Sequence, residues 1–184
     1  MAIVKEKQNK ALDALKADFG YKNQMQSPRI QKVILSTGIG STKDKNKIKL
    51  IEDRLSKITG QKPAPRQAKK SIAAFKLREG DVVGYQVTLR GKRMDAFLDK
   101  LVHVALPRTR DFRGIKRTIV DDMGNATVGI KEHTIFPETS DEDIKDVFGL
   151  SVTIVTSSEN KEETLAFLEH LGFPLKKEEE AKKK

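Results

Sequence analysis

The segment from Gly38 to Lys43 has the glycine spacing with which many nucleotide-binding loops begin, and it lies between a predicted strand and a predicted helix. Backbone N–H groups at the start of such a helix could hold a phosphate. Lys43 stands where a dinucleotide-binding loop has its third glycine, however, and no Gly-Lys-Ser or Gly-Lys-Thr triplet follows. A tight strand-to-helix turn is therefore the favoured interpretation. A nucleotide-using or RNA-modifying enzyme is the alternative.

Other side chains that catalyse reactions or bind metals are not spaced for either task. There is no cysteine, which excludes thiolate nucleophiles and cysteine-based zinc sites. The histidines are His103, His133 and His170. They are too far apart in the sequence to suggest a pair of ligands, and we expect them at the surface or its boundary. Asp121 with Asp122, and Asp141 with Asp143, lack calcium-loop spacing, which favours turn and capping roles. We therefore expect no enzymatic activity, no cofactor and no metal.

Basic side chains are the chemistry that this chain carries in excess. It has 36 Lys and Arg against 26 Asp and Glu, a net charge of +10. Residues 1–61 contain 13 basic and 6 acidic side chains, residues 62–117 contain 15 and 5, and residues 118–184 contain 8 and 15. The first two segments favour a polyanionic partner, and RNA is the leading candidate. The acidic last segment suits a basic protein, so a protein–protein adaptor is a further alternative.

The way in which RNA would be recognised follows from the scarcity of aromatic residues. They make up 5% of the chain, there is no Trp, and no strand shows an aromatic ladder. Recognition would then depend on backbone, shape and polar contacts to a folded RNA, with a small contribution from base stacking.

Hydrophobic periodicity predicts an α+β fold: a mostly antiparallel sheet with helices packed on one face and the other face free for RNA. Helices are predicted over residues 3–19, 48–58, 94–105, 141–147 and 160–171. Strands are predicted over residues 30–37, 83–89 and 150–155, with short strands around the turn at 121–125. The region from Gln61 to Leu77 is too rich in proline and lysine for a buried element, and we expect an exposed strand and loop there.

Several helix boundaries have their own signals. Ser41 or Thr42 is expected to cap the second helix, and Gly60 to end it. Asn160 with Glu163 has the spacing of a capping box for the last helix. We expect one domain over residues 1–175 and a disordered charged tail over 176–184. No apolar stretch is long enough for a membrane span or a signal peptide, so a cytoplasmic protein without a membrane partner is expected.

A series of short strings resembles the bacterial large-subunit ribosomal protein five family, and they occur in order from about residue 3 to 175. They are Thr59-Gly60-Gln61-Lys62-Pro63, Ala68 to Gly80 (AKKSIAAFKLREG), Val87-Thr88-Leu89-Arg90-Gly91, Ala105-Leu106-Pro107-Arg108, Arg110-Asp111-Phe112-Arg113-Gly114, Ile135-Phe136-Pro137-Glu138 and Gly172-Phe173-Pro174. So many ordered strings are a specific signal.

The resemblance implies a protein of the central protuberance that binds 5S ribosomal RNA and helps attach it to the large subunit. It also implies contacts with the P-site transfer RNA, with small-subunit ribosomal protein thirteen at an inter-subunit bridge, and with neighbouring large-subunit RNA and proteins. By matching motif, Gln61 and Thr88 take the place of 5S contacts. With nearby cationic and polar residues, the expected ribosomal-RNA contacts are Lys32, Ser36, Gln61, Lys62, Arg66, Lys69, Thr88 and Arg90.

Two further residue sets follow from the resemblance. The loop expected to face transfer RNA contributes Ser71, Ala73, Ala74, Phe75, Lys76, Arg78 and Gly80. The residues expected to contact the small-subunit protein are Arg110, Asp111, Phe112, Arg113, Asp141 and Asp143.

The sequence departs from the family pattern at two positions. Ser36 stands where the family usually has an Asn that contacts RNA, and it keeps a hydroxyl but loses the amide's paired donor and acceptor. Ala126 stands where the family commonly has an aromatic residue, which implies a lost packing contact.

Overall fold

Five helices and five strands make up the regular structure of the computed structural model, which describes residues 3–40, 44–139 and 147–176. The helices are α1 (Ile3–Asn9), α2 (Ala11–Phe19), α3 (Lys45–Thr59), α4 (Gly91–Lys100) and α5 (Lys161–Leu171). The strands are β1 (Ile30–Gly38), β2 (Ala64–Gln67), β3 (Val82–Leu89), β4 (Ala126–Ile130) and β5 (Leu150–Thr156). The strands form one antiparallel sheet in the order β2-β3-β1-β5-β4, which confirms the predicted α+β class.

The chain divides into two compact units. Unit 1 comprises Met1–Val33, Arg90–Val128 and Thr153–Lys184, and contains α1, α2, α4 and α5. Unit 2 comprises Ile34–Leu89 and Gly129–Val152, and contains α3, β2 and β3. The single domain expected over residues 1–175 stays a prediction. Residues 141–146, where a short helix was expected, and residues 177–184 of the expected tail lie outside the described residues.

Alternating burial defines the two faces of the longer strands. Along β1, the side chains of Val33, Leu35 and Thr37 are buried, while the residues between them are half-buried. The same alternation runs through β3 from Tyr85 to Leu89 and through all of β5. Successive side chains of a strand point to opposite faces, so one face of each strand lies in an apolar core and the other does not.

Helix α3 is the element of unit 2 that covers the apolar face of β3. Ile51, Leu55 and Ile58 follow each other at four- and three-residue steps and are almost completely buried. Gly60 ends the helix in the left-handed conformation, at a φ of 66°, as expected. The expected cap was wrong: Asp44 caps α3, because its carboxylate accepts the N–H of Asn46 at 2.9 Å.

The helices of unit 1 depart from the predicted boundaries in two places. The single helix expected over residues 3–19 is divided at Lys10 into α1 and α2. The helix expected over 94–105 is present, but after Lys100 it continues as a π-helical turn from Leu101 to Ala105. Its predicted apolar stripe is confirmed, since all six of its members are buried: Met94, Phe97, Leu98, Leu101, Val102 and Ala105.

The capping box predicted for α5 is wrong. Asn160 is the N-cap residue but makes no side-chain capping bond. Glu163, the expected partner, instead accepts a hydrogen bond from the hydroxyl of Tyr21. Burial raises the pKa of Tyr21, and the hydrogen bond and charge of Glu163 raise it further, so the hydroxyl remains a donor. A bond to a residue distant in the chain has taken the place of a local one.

The turn at residues 121–125 is present. Several short strands were expected around it, but β4 is the one regular strand in the described residues 118–135. The carboxylate of Asp121 accepts the backbone N–H of Asn125 at 2.6 Å, which confirms a turn role for Asp121. A single bridge between Val120 and Ala126 closes the turn. The Ala126 side chain is fully buried.

His133 contradicts the expectation that the histidines lie at the surface or its boundary. It is fully buried, and its ring stacks on Phe148 with the ring centroids 4.1 Å apart. Its Nδ1 accepts the backbone N–H of Phe148 at 3.4 Å, which offsets part of the penalty for burying a polar ring. Within the described residues, no helix is long and apolar enough to cross a membrane.

We predict that Gly84→Ala lowers the free energy of unfolding by about 1–3 kcal/mol, the usual penalty for overpacking. The added Cβ would lie 2.7 Å from the carbonyl oxygen of Thr37, so β1 and β3 would have to move apart. Urea unfolding measures the loss. Gly129→Ala is the matched control, because its Cβ meets no heavy atom within 4 Å. An equal loss for both variants would contradict the close approach at Gly84.

Candidate nucleic-acid interface

The face of β3 that points away from the core carries uncharged polar groups. Gln86 and Thr88 are half-buried and alternate with the buried Val87 and Leu89. Among the described residues, no hydrogen bond engages the side chain of Thr88. Its hydroxyl can donate one hydrogen bond and accept two, and it is available to a ligand that lies on the sheet.

Strand β2 adds a cation to this face. Arg66 is paired with Gly84, and Ala64 with Gln86, so Arg66 and Gln86 point to the same side of the sheet. The Nε of Arg66 donates to the side-chain oxygen of Gln86 at 2.6 Å. This bond orients the guanidinium and leaves its terminal nitrogens available as donors. Every residue of β2 is exposed, as the sequence predicted.

Ser36 occupies the corresponding face of β1 and is already hydrogen-bonded. Its hydroxyl lies 2.8 Å from the hydroxyl of Ser151 in the neighbouring β5. The next residue, Thr37, points into the core and donates to the carbonyl of Gly149 at 2.7 Å. Sequence reasoning missed Ser151, although the two-residue period of β5 places it on the polar face. A second hydroxyl, that of Ser151, therefore lies beside Ser36.

Gln61 is positioned by the end of α3. The hydroxyl of Thr59 donates to the carbonyl of Leu55 at 2.7 Å, and it also accepts the backbone N–H of Gln61 at 3.3 Å. With Gly60 in the left-handed conformation, these bonds fix the backbone as the chain leaves the helix. The side-chain amide of Gln61 has no hydrogen-bond partner among the described residues. It is half-buried and available to a ligand.

Unit 2 has two further exposed cations, Lys62 and Lys69. The side chain of Lys62 is 85% exposed, and its Nζ is 3.9 Å from Glu52, too far for a strong ion pair. Glu52 also accepts a hydrogen bond from Tyr85 at 3.2 Å. Burial raises the pKa of Tyr85, and the charge of Glu52 raises it further. Lys69 is exposed.

The predicted ribosomal-RNA contacts are divided between the two units. Unit 2 contains Ser36, Gln61, Lys62, Arg66, Lys69 and Thr88. Unit 1 contains Lys32, which is half-buried on β1, and Arg90, which is exposed at the start of α4. Unit 2 thus contains six of the eight predicted contacts. We refer to its uncharged polar residues Ser36, Gln61, Gln86, Thr88 and Ser151 as the polar face.

The loop expected to face transfer RNA is an ordered extension of the β2–β3 hairpin. Ile72 and Leu77 form a two-way backbone pair, with N–O distances of 3.0 and 3.2 Å. Lys76 adopts a left-handed conformation at a φ of 51°, which turns the chain between them. All seven predicted contacts are exposed: Ser71, Ala73, Ala74, Phe75, Lys76, Arg78 and Gly80. Sequence reasoning did not foresee the apolar cavity of about 670 Å³ beneath the loop.

Four of the six residues expected to contact a small-subunit protein are described, and they lie in unit 1 on the loop after the π-helical turn. Arg110, Asp111 and Arg113 are exposed, and Phe112 is half-buried. Asp141 and Asp143 lie outside the described residues.

The glycine segment near residue 40 does not form a phosphate loop in its described part. Gly38 is the last residue of β1, and the backbone N–H of Ile39 donates to the carbonyl of Val83 at 2.8 Å. Ile39 is buried, and its bond to Val83 lies one residue beyond the end of β1. Residues 41–43 lie outside the described residues. Within the described residues, no group of three His, Cys, Asp or Glu side chains could hold a metal ion.

Comparison with known proteins gives a consistent result along the chain. Residues 23–78 match the family model described as ribosomal protein L5, and residues 82–175 match the model for the C-terminus of the same ribosomal protein family. The large ribosomal subunit protein uL5 of Trichlorobacter lovleyi is 50% identical over 170 residues, which is 92% of this chain and 95% of that protein. The uL5 protein of Mycoplasma mycoides is 49% identical over 161 residues, 87% of this chain and 89% of that protein. The uL5 protein of an Anaeromyxobacter species is 45% identical over 177 residues, which is 95% of this chain and 98% of that protein.

The contact between Ser36 and Ser151 predicts a measurable coupling. In a double-mutant cycle of Ser36→Ala and Ser151→Ala, we expect a coupling free energy of about 0.5–1 kcal/mol in urea unfolding, the net value of one partly exposed hydrogen bond. Ser36→Ala combined with Thr127→Ala is the control cycle, because Thr127 bonds to Thr153 instead. Strict additivity in both cycles would show that the two serines do not interact.

Proposed function

This chain belongs to the ribosomal protein L5 (uL5) family, and on that premise we propose that it binds 5S ribosomal RNA through the polar face and helps attach it to the large subunit. It is a structural, non-enzymatic constituent of the large ribosomal subunit. Its place is in the ribosome, which is cytoplasmic in bacteria. Family membership removes the nucleotide-using enzyme as an alternative.

The unfilled hydrogen-bonding groups of Gln61 and Thr88 are the observation that carries the RNA proposal. An amide and a hydroxyl can each donate to and accept from base edges and ribose 2′-hydroxyls, and the wide minor groove of an RNA helix displays both. A neutral face can approach RNA closely, because it brings no buried charge that would have to be desolvated. The proposal therefore assigns specificity to these neutral side chains.

Affinity comes from the cations around the face. Lys62, Arg66 and Lys69 are exposed, and each can replace a counterion on one phosphate. The bond from Arg66 to Gln86 limits the rotamers of the guanidinium, so less entropy is lost when it binds a phosphate. Such phosphate contacts position the protein, and base contacts specify the site.

We further propose that the Ser71–Gly80 loop contacts P-site transfer RNA. All seven predicted contacts of the loop are exposed, and its backbone pair at Ile72 and Leu77 holds it as a hairpin without help from a partner. Lys76 and Arg78 have no ion-pair partner in the described part of the chain, which suits them to the phosphates of a second RNA.

The acidic last third is proposed to face small-subunit ribosomal protein thirteen. Asp121 and Asp122 are exposed in a closed turn, and Glu162 is exposed in the first turn of α5. An acidic surface repels RNA and attracts a basic protein. The expected contacts at Arg110, Asp111, Phe112, Arg113, Asp141 and Asp143 remain part of this proposal.

We predict that Thr88→Val and Gln61→Ala each weaken binding to 5S RNA by about 5- to 30-fold, equivalent to about 1–2 kcal/mol, because each removes a donor and an acceptor from the polar face. Filter binding or calorimetry with 5S transcript over a salt series measures this. The slope of log affinity against log salt should not change, since neither variant removes a charge.

Two variants and one RNA serve as controls. Thr118→Val makes the same chemical change at an exposed threonine of unit 1, and Lys182→Ala removes a charge from the C-terminal tail. Both should bind 5S RNA as the parent protein does. If either loses as much as Thr88→Val, or if the parent protein binds an unrelated folded RNA equally well at every salt concentration, the proposed site is wrong.

A further inference from the structure

The cavity of about 670 Å³ beneath the Ser71–Gly80 loop is lined entirely by residues of unit 2. Val83 is the residue of β3 that lines it. Because side chains alternate along a strand, Val83 lies on the same side of β3 as the buried Tyr85 and Val87. This lining indicates a cavity on the apolar side of the strand, opposite to Thr88.

Strand β2 supplies the facing wall of the cavity through Ala68, which follows its last residue. The register between β2 and β3 shifts between Arg66 and Gln67. Such a bulge places two successive residues on one side of the sheet, so Ala68 points to the opposite side from Arg66. Ala68 therefore faces the cavity together with Val83. Its backbone N–H donates to the carbonyl of Asp81 at 2.8 Å, which fixes its position.

The lining of the cavity is apolar apart from two cations. Six of the lining residues have no polar side chain: Gly40, Ala68, Ile72, Phe75, Leu77 and Val83. Phe75 is 75% exposed and Ile72 is 44% exposed, so apolar surface at the cavity is in contact with water. Pockets that bury most of a small ligand usually have about 300–1,000 Å³, and this cavity lies within that range.

The two cations that line the cavity are Lys69 and Lys70. Both are exposed, and neither forms an ion pair within the described part of the chain. The methylene groups of a lysine can lie along apolar surface while its ammonium group stays in water. Among the described residues that line the cavity, none is acidic. The site thus combines an apolar interior with positive charge beside it.

We propose that this cavity binds a small anionic amphiphile, a molecule with an apolar body and one carboxylate or phosphate head. The body lies in the cavity between Ala68 and Val83, and the head meets the ammonium groups of Lys69 and Lys70. A neutral amphiphile gains the same apolar burial without the ionic contact, and a cationic one is repelled.

The apolar lining also argues against a nucleobase as the occupant. The edges of a base carry several donors and acceptors, and these would lose water in the cavity without gaining partners there. The RNA contacts proposed for the loop therefore leave the cavity unfilled. The amphiphile site is an addition to RNA binding, with a different class of ligand.

The test titrates the full-length, isotope-labelled protein with decanoate and, separately, with decyl phosphate, and follows the backbone amides by NMR. Binding should saturate, with the largest shifts at Ile72, Leu77 and Val83. Octanoate is two CH₂ groups shorter and should bind about 15-fold more weakly, since each buried CH₂ contributes about fourfold. Decanol, the neutral analogue, should bind at least about fivefold more weakly. A tighter complex with decanoate identifies a carboxylate ligand, and a tighter complex with decyl phosphate a phosphate ligand.

Three variants locate the ligand. Ala68→Leu fills part of the cavity and should weaken decanoate binding by at least about 10-fold, because the ligand and the new side chain compete for one volume. Lys69→Gln/Lys70→Gln keeps the cavity and should weaken binding by about 5- to 10-fold. The matched control, Lys57→Gln/Lys62→Gln, removes two exposed lysines of unit 2 that do not line the cavity, and it should bind as the parent does.

Four results would overturn the proposal. They are the absence of saturable binding, equal affinity for octanoate and decanoate, equal losses in the two double variants, and unchanged binding by a folded Ala68→Leu protein. The third would mean that net charge alone attracts the anion, and the fourth that the ligand lies outside the cavity. If Ala68→Leu does not fold, the chain-length series and the lysine variants still decide. The titrations contain no RNA, so the proposal for the polar face stands or fails independently.

Discussion

The two-residue period of burial in β1, β3 and β5 is the constraint on which the rest of the structure depends. Because Val87 and Leu89 must enter the core, Thr88 must leave it, and the same rule places Ser36 between Leu35 and Thr37. A one-residue slip in register would bury the polar side chains and expose the apolar ones. The core thus selects the register, and the register determines which side chains can meet RNA.

Charge and specificity are consequently separated on unit 2. The outward faces of β1 and β3 there carry amide and hydroxyl groups, whereas the cations lie on the edge strand β2 and in loops. An ammonium group in the middle of the sheet would be half-buried and expensive to desolvate, but at the edge it stays in water until a phosphate arrives. In the proposed function, Arg66 and Lys69 would supply long-range attraction, and Gln61 and Thr88 would supply close recognition.

The sequence predicted what local patterns determine. Helix α3, its end at Gly60, and strands β3 and β5 each carry their own periodicity and stop signal, and all were found. The wrong predictions share a physical cause. In each case the side chain contacts a residue that lies outside the local sequence pattern. Glu163 bonds to Tyr21, 142 residues away, instead of capping α5, and His133 is buried by stacking on Phe148. In the candidate site, Gln61 and Thr88 were predicted from their polar character in the basic region and from family resemblance, while the pairing of Ser36 with Ser151 required the strand order.

Charge by sequence segment and charge by structural unit are different quantities. The segment count assigns the basic residues 62–117 to RNA and the acidic residues after 117 to protein. The fold divides them differently, because Arg108, Arg110 and Arg113 belong to unit 1 together with Asp121, Asp122 and Glu162. Screening limits the reach of exposed charges to about 8–10 Å, so a partner responds to the local surface and not to the total of a segment. Basic and acidic side chains of unit 1 can therefore form separate local surfaces, although a single count for the unit combines them.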